Sequence, residues 1–535
     1  MIRRTFLALT TGLTSTLAAA SLSTPAAASA APTAQHTRPH PRRKVTQPVR
    51  TPLHLAPARD QLDALRRQKI SSRELLDLLL AHHERVNPDV NAVVTLDAAR
   101  AREAARAADA HLARTGEPLG PLHGLPMTVK DAFETEGLRT TCGSRELAEH
   151  VPDRDADAVA RLRAAGAIIL GKTNTPANCQ DIQTSNELFG TTRNPYDPER
   201  TAGGSSGGPA AAVATGLTAL EVGSDLAGSL RLPAHYCGVH ALRPSHGIVA
   251  TRGHIPRPPG WLTSGDMLTP GPLARTADDL ALLLDVLAGP SPTDAPAWRL
   301  DLPAPRSRTL GGLRVGVWAD DPYCRVDAET RELLARVTES AAAEGARTDT
   351  DTRPVDLADS DRLFQALMYA TGTAAVGDAA FQAEVDAAAK LADDDHSPGA
   401  FFLRSRTQRH RDWLRANEER EKLARTWARY FEDHDVLVTP SAPTAAVPDL
   451  TSVPVPQRRI TVDGVERPYF DQTAWANLTS HVRLPAATVP VGRTATGLPL
   501  SVQVVGPYLA DRTVLAVAEE LSRLFPQPAA PALDV

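Results

Sequence analysis

The sequence predicts an α/β fold with a largely buried sheet. Helix-like segments alternate with short apolar strands along most of the chain. Those strands are short and mainly apolar, the pattern of a largely buried sheet. With 535 residues, 42% of them hydrophobic, the chain can build one large core or two ordinary ones. In order, Ser71-Ser72-Arg73-Glu74 is a capping box that starts a helix carrying Leu75, Leu76, Leu78, Leu79 and Leu80. Residues 97–114 and 155–165 read as helices, and Gly166 ends the second. Ala167-Ile168-Ile169-Leu170 reads as a short buried strand. Pro209–Thr215 is an Ala-rich helix, and Thr218–Val222 a strand. Leu313–Trp318 follows as a strand, Glu329–Glu344 as a helix, and 360–430 as mostly helical with polar stretches. Asp435–Thr439 and Leu498–Val505 are strands, and Asp511–Leu524 is the last helix. No internal repeat is visible.

Residues 1–30 read as an export signal. Arg3-Arg4 precedes a modestly apolar stretch from Leu7 to Leu22, and Ala28-Ser29-Ala30 forms an A-x-A cleavage site. The expected location is therefore outside the cytoplasm, after cleavage near Ala30. The apolar stretch is short and interrupted by Thr, Ser and Gly, so stable membrane insertion is not expected. Residues 31–52, rich in Pro, His, Arg and Thr, read as a disordered linker, which leaves 53–535 for the fold. The net charge is -5 with 23% charged residues, a balance that gives no reason to expect a nucleic-acid partner. Cys142, Cys179, Cys237 and Cys324 are widely spaced, with no C-x-x-C, and spacing does not say whether they pair. His235 and His240 lack partners at metal spacing, so neither a metal nor a cofactor is expected. Of the 58 Lys and Arg only six are Lys, among them Lys130 and Lys172. Where Lys persists in so Arg-rich a chain, a neutral amine is one reason, since Arg does not deprotonate.

Three motifs compete for attention. Gly166 to Thr173 matches a phosphate-loop pattern, but its four middle residues, Ala, Ile, Ile and Leu, make a strand and not a loop. Lys172 is then structural. Gly203-Gly204-Ser205-Ser206-Gly207 fits the nucleophile elbow of a hydrolase, but Pro198–Ala202 before it is not an apolar strand. The third, Gly223-Ser224-Asp225-Leu226-Ala227-Gly228-Ser229-Leu230-Arg231-Leu232-Pro233, follows a strand. Successive backbone N–H groups in such a turn can converge on an oxyanion, with Ser229 beside them. Alone, it also fits a capped turn with a solvent-facing serine.

Taken together, Gly203–Gly208 and Gly228–Pro233 resemble the amidase signature family, whose two key serines stand 24 residues apart, as Ser205 and Ser229 do. Gly124–Asp131, Gly171–Pro176, Asn194–Pro198 and Pro499–Asp511 are also similar to family segments, so the resemblance spans about residues 55–525. It implies a single large α/β domain with a central mixed sheet flanked by helices on both faces. The 360–430 region would then cover the active-site side and shape the substrate pocket. It also implies a Ser–cis-Ser–Lys triad, with Ser229 as nucleophile, Ser205 as relay and Lys130 as base, its amine made available by burial. The N–H groups of Leu226, Ala227, Gly228 and Ser229 would form the oxyanion hole. Ser206, Asp225 and Arg231 would support the triad. The expected reaction is hydrolysis of a small-molecule carboxylic amide through an acyl-enzyme, with esters as an alternative substrate class. The family also includes the glutamine-amidotransferase subunit of tRNA charging, a reading that the export signal opposes. A secreted amide-binding protein without catalysis is opposed by the presence of all three triad residues. Which amide is taken, and whether the chain forms a homodimer, stay open. Two departures stand out. Ala227 replaces the usual Gly, and would be strained if that position needs φ > 0. Ala177 replaces the family's frequent Glu.

Overall fold

The computed structural model describes residues 51–527 and residue 531. The expected signal segment and residues 31–50 of the expected linker lie outside the described residues. The capping box is formed as expected. Ser71 accepts from Glu74 N–H, the Glu74 carboxylate reaches back to Ser71 N–H, and the helix runs Ser72–Val90. Helices Ala98–Thr115, Asp157–Ala164, Ala328–Ala343 and Asp511–Leu524 also fall where the sequence places them.

The main sheet has eight strands. Across it lie Arg347–Asp349, Arg314–Val317, Val436–Pro440, Pro499–Val505, Ala486–Arg493, His240–Arg243, Thr269–Ala274 and Leu220–Asp225. The first three are parallel and the remaining pairings antiparallel, so the sheet is mixed. Both faces are covered, and period-two alternation shows it. Val436, Val438, Val502 and Val504 enter the large core under Ala277–Leu287 and Asp511–Leu524. Leu437 and Val505 enter an aromatic core with Trp318, Trp427 and Trp475 on the other side. The Ala-rich helix Gly207–Ala214 is wholly buried, packing Ala210 to Ala214 against Ala241 and Leu273. Small side chains let this helix lie close to the sheet.

A second sheet of three strands, Val93–Leu96, Ile168–Thr173 and Pro126–Lys130, abuts the main one. Thr128 N–H reaches Thr218 Oγ1 at 3.4 Å, and the Thr128 hydroxyl bonds the buried Glu221 carboxylate. Strands Pro126–Lys130 and Leu220–Asp225 therefore end side by side.

Some elements differ from expectation. The strand expected over 167–170 runs to Thr173, which turns the phosphate-loop match into extended backbone. Lys172 is buried in it and bonds the Phe133 carbonyl, with Thr135 Oγ1 at 2.9 Å. The strand expected over 218–222 spans Leu220–Asp225, because Thr269–Ala274 pairs with it residue for residue up to Asp225. A strand, Asp197–Thr201, does precede the Gly-Ser segment, but it is polar and pairs only with Arg193–Asn194. Region 360–430 resolves into helices Leu357–Thr371, Asp378–Ala388, Pro398–Arg406 and His410–Asp433.

Candidate active site

Lys130 is the last residue of its strand and is completely buried. Its Nζ lies 2.6 Å from Ser205 Oγ, and 3.1 Å from both Ser206 Oγ and Ser224 Oγ. Three hydroxyls thus surround one amine with no carboxylate among its hydrogen-bond partners. Ser205 follows a cis peptide bond from Gly204, as the family resemblance implies. Ser206 ties the cluster together. Its hydroxyl donates to the Ser224 carbonyl at 3.2 Å, and its N–H donates to the Ser229 carbonyl at 3.2 Å. That main-chain bond sets residue 229 beside the cluster. The Ser229 side chain is partly exposed and forms no hydrogen bond within the described protein. Its hydroxyl is thus open to a ligand, and catalytic hydrogen bonds often tighten only when substrate binds.

The turn 226–229 is held by Asp225. One carboxylate oxygen accepts from Gly228 N–H at 2.9 Å, the other from Leu230 N–H at 3.1 Å. Arg231 grips the same carboxylate in a fork, Nε at 3.0 Å and Nη2 at 2.9 Å. Arg243 adds a second cation at 3.7 Å. All three side chains are fully buried. Burial by itself would raise the Asp225 pKa, but Arg231, Arg243 and the Leu230 N–H outweigh it and hold it at about 2. Arg231 spends its remaining donors on the Ala476 carbonyl, Thr479, Gln503 and Ser480, at 2.7–2.9 Å. The turn is thus anchored across the main sheet.

This anchoring bears on the expected oxyanion donors. The Gly228 N–H is committed to Asp225, which leaves those of Leu226, Ala227 and Ser229 without partners in the described protein. The concern over Ala227 is also answered. The left-handed residue of the turn is Gly228, with φ of 93°, and Ala227 has a negative φ. Ala227→Gly is therefore expected to relieve no strain. It should lower stability by about 0.5–1 kcal/mol through chain entropy and leave kcat/KM within about twofold. A denaturant titration beside an activity assay checks both.

Leu226 and Ala227 pack against an apolar cluster of Met267, Phe364 and Leu367, with Met368 and Trp413 at its edge. Phe364 and Leu367 lie on Leu357–Thr371, and Trp413 on His410–Asp433. The helical region over 360–430 meets the turn beside Ser229.

Sequence reasoning missed Ser224, Arg243 and Cys179. Ser224 was inside the third motif, and its place at a strand end beside Asp225 was a usable signal. Nothing local marks Arg243 or Cys179. Cys179 lies next to Cys142, Sγ to Sγ 3.5 Å, near Lys130 and Ser205. All four cysteines are free thiols. The two histidines weighed as metal ligands are used separately. His235 bonds the Thr444 carbonyl and Ser501 N–H, and His240 bonds Ser522. Among the described residues no group of three or more His, Cys, Asp or Glu could hold a metal, and no helix is long and apolar enough to cross a membrane.

Residues 74–515 match the family model described as Amidase. The chain is 34% identical over 496 residues to a glutamyl-tRNA(Gln) amidotransferase subunit of Roseiflexus sp. (strain RS-1), covering 89% of this chain and 97% of that one. It is 33% identical over 511 residues to the corresponding subunit of Moorella thermoacetica (strain ATCC 39073 / JCM 9320), covering 87% and 96%. Among solved structures, a bacterial aryl acylamidase superposes with a TM-score of 0.74 at 26% identity, covering 88% of this chain and 97% of that one. The 6-aminohexanoate cyclic dimer hydrolase with bound substrate gives 0.73 at 27%, covering 90% and 99%. Agreement over nearly the whole length, in sequence and in fold, means that this chain belongs to the amidase signature family.

Proposed function

We propose that this protein is an amidase that hydrolyses a carboxylic amide to a carboxylate and ammonia or an amine, through an acyl-enzyme on Ser229. The observation that carries the proposal is the buried Lys130 amine 2.6 Å from Ser205 Oγ. A serine hydroxyl needs a base to attack an amide, and a relay through a second hydroxyl supplies one. Ser229 Oγ attacks the carbonyl carbon as its proton passes to Ser205 Oγ, while the Ser205 proton passes to Lys130 Nζ. The N–H groups of Leu226, Ala227 and Ser229 receive the developing oxyanion, at about 3–4 kcal/mol per donor in comparable sites. The proton returns along the relay to the leaving nitrogen as the C–N bond breaks. Water then attacks the acyl-enzyme by the same route.

The apolar cluster against Leu226 and Ala227 favours an amide with an apolar group near the scissile bond. A second reading, an amide-hydrolysing component that hands ammonia to a partner, is favoured by the names of the relatives at 33–34% identity. Amine and ammonia release from aryl, alkyl and peptide amides, with L-glutamine beside them, separates the two. The amidase reading expects an apolar amide to exceed glutamine in kcat/KM. Turnover confined to glutamine would transfer the proposal to the ammonia-donating reading.

We also propose that residues 1–30 direct export, on the order of the Arg pair, apolar run and A-x-A site. N-terminal sequencing of protein recovered outside the cytoplasm should begin near Ala31. A chain recovered only inside the cytoplasm, with Met1 or Ile2 retained, would contradict it.

A further inference from the structure

We propose that Cys142 and Cys179 are an oxidisable pair beside the Lys130–Ser205 cluster, closed to a disulfide by a small peroxide and reopened by thiols.

The pair is already nearly at bonding geometry. The sulfurs are 3.5 Å apart, and the main chains that carry them are joined by a 2.8 Å hydrogen bond from Asn178 N–H to the Cys142 carbonyl. A disulfide needs an S–S distance of about 2.05 Å, so the two sulfurs have about 1.5 Å left to close. The two segments cannot drift apart easily. A Cβ on Gly143 would come within 2.7 Å of the Thr175 carbonyl oxygen, so the chains are in close packing beside the pair. Cys142 N–H is also bonded to the Asp131 carbonyl at 2.8 Å, next to Lys130 in sequence.

The two thiols differ in a way that orders the chemistry. Cys142 is fully buried, whereas Cys179 is partly exposed. Hydrogen bonding with Cys142, the charge of Lys130, and hydrogen bonds with Thr175 and Ser205 favour the Cys179 thiolate against its burial. Burial and the neighbouring Cys179 push the Cys142 thiol well up. Cys179 is therefore the attacking sulfur and Cys142 the resolving one. The Cys179 thiolate attacks a peroxide oxygen, the O–O bond breaks and hydroxide leaves, giving a sulfenic acid. The Cys142 sulfur then attacks Cys179 Sγ, the S–O bond breaks, and water leaves with the Cys142 proton. The two sulfurs give two electrons to one hydrogen peroxide, which ends as one water and one hydroxide.

Cys237 and Cys324 are buried elsewhere, with Sγ against the Ala202 and Asp471 carbonyls, and should stay thiols.

The test uses the full chain treated with hydrogen peroxide and then with dithiothreitol. Disulfides are mapped by mass spectrometry of a non-reducing digest after each step. The expected result is a Cys142–Cys179 cross-linked peptide that forms with peroxide, is lost with dithiothreitol and is absent in Cys142→Ala. No cross-link in the peroxide-treated wild type, or one that joins Cys237 or Cys324 instead, overturns the pairing. The mapping does not depend on turnover, so it stands or falls apart from the catalytic reading.

Discussion

Ser229→Ala is expected to lower kcat/KM for any amide the enzyme accepts by about 10⁴–10⁶-fold, with KM little changed. The hydroxyl is partly exposed, so its removal opens no buried cavity and thermal stability should stay within a degree or two of wild type. Residual turnover would come from the Leu226, Ala227 and Ser229 N–H groups, which the substitution leaves in place. Lys130→Ala should cost nearly as much in kcat. Because nucleophile, relay and base act as one unit, the double variant should be scarcely worse than either single one. Additive losses would mean that Lys130 does not act through Ser229. Lys130→Ala must be compared at matched folded fraction, since it removes a fully buried side chain with three hydroxyl partners.

Asp225→Asn is expected to destabilise the fold by about 3–5 kcal/mol at pH 7, the usual cost of removing one partner from a buried ion pair. The substitution leaves Arg231 and Arg243 without their counter-charge in a site with no solvent. It also presents an amide group where a carboxylate accepted two N–H bonds. The pH dependence gives a signed check. Asp225 is held at about 2, against an ordinary value near 3.8. Its contribution is therefore complete above about pH 4 and is lost as pH falls through about 2. That loss is roughly 2 kcal/mol between pH 4 and 2 for the wild type, and absent for the variant. The gap between the two proteins in a chemical denaturation series should narrow over that window. A constant gap would mean that the stabilisation does not come from the carboxylate charge. Catalysis should suffer separately, since the donors of turn 226–229 lose the residue that fixes the turn.

Much of this was legible in the sequence, for identifiable reasons. The helix at Ser72 carries its own capping box, and Asp511–Leu524 its own periodicity, so both were readable locally. That Lys130, Ser205 and Ser229 lie together was readable because each sits in a short segment that resembles a family segment. What could not be read is what depends on pairing across the chain. The extension of a strand to Asp225 exists because Thr269–Ala274 pairs with it, and nothing within 218–225 announces that partner. That the Gly228 N–H is taken up by Asp225 follows from where the carboxylate turns, a matter of side-chain direction. Ala227 looked strained only while the left-handed position was unknown, and the chain places it one residue later, on Gly228. Arg243 and Cys179 reach the site from segments with no catalytic look, carried there by the sheet and by a close-packed turn.

The central claim is that Ser229 becomes acylated through Ser205 and Lys130. The most direct test is to quench the wild-type enzyme during turnover of a slowly deacylated amide or activated ester, and map the acyl group by peptide mass spectrometry. The account predicts one acyl adduct, on Ser229, absent from Ser229→Ala and formed far more slowly in Lys130→Ala. An adduct on Ser205 or Cys179, or steady turnover with no adduct on Ser229, would contradict it.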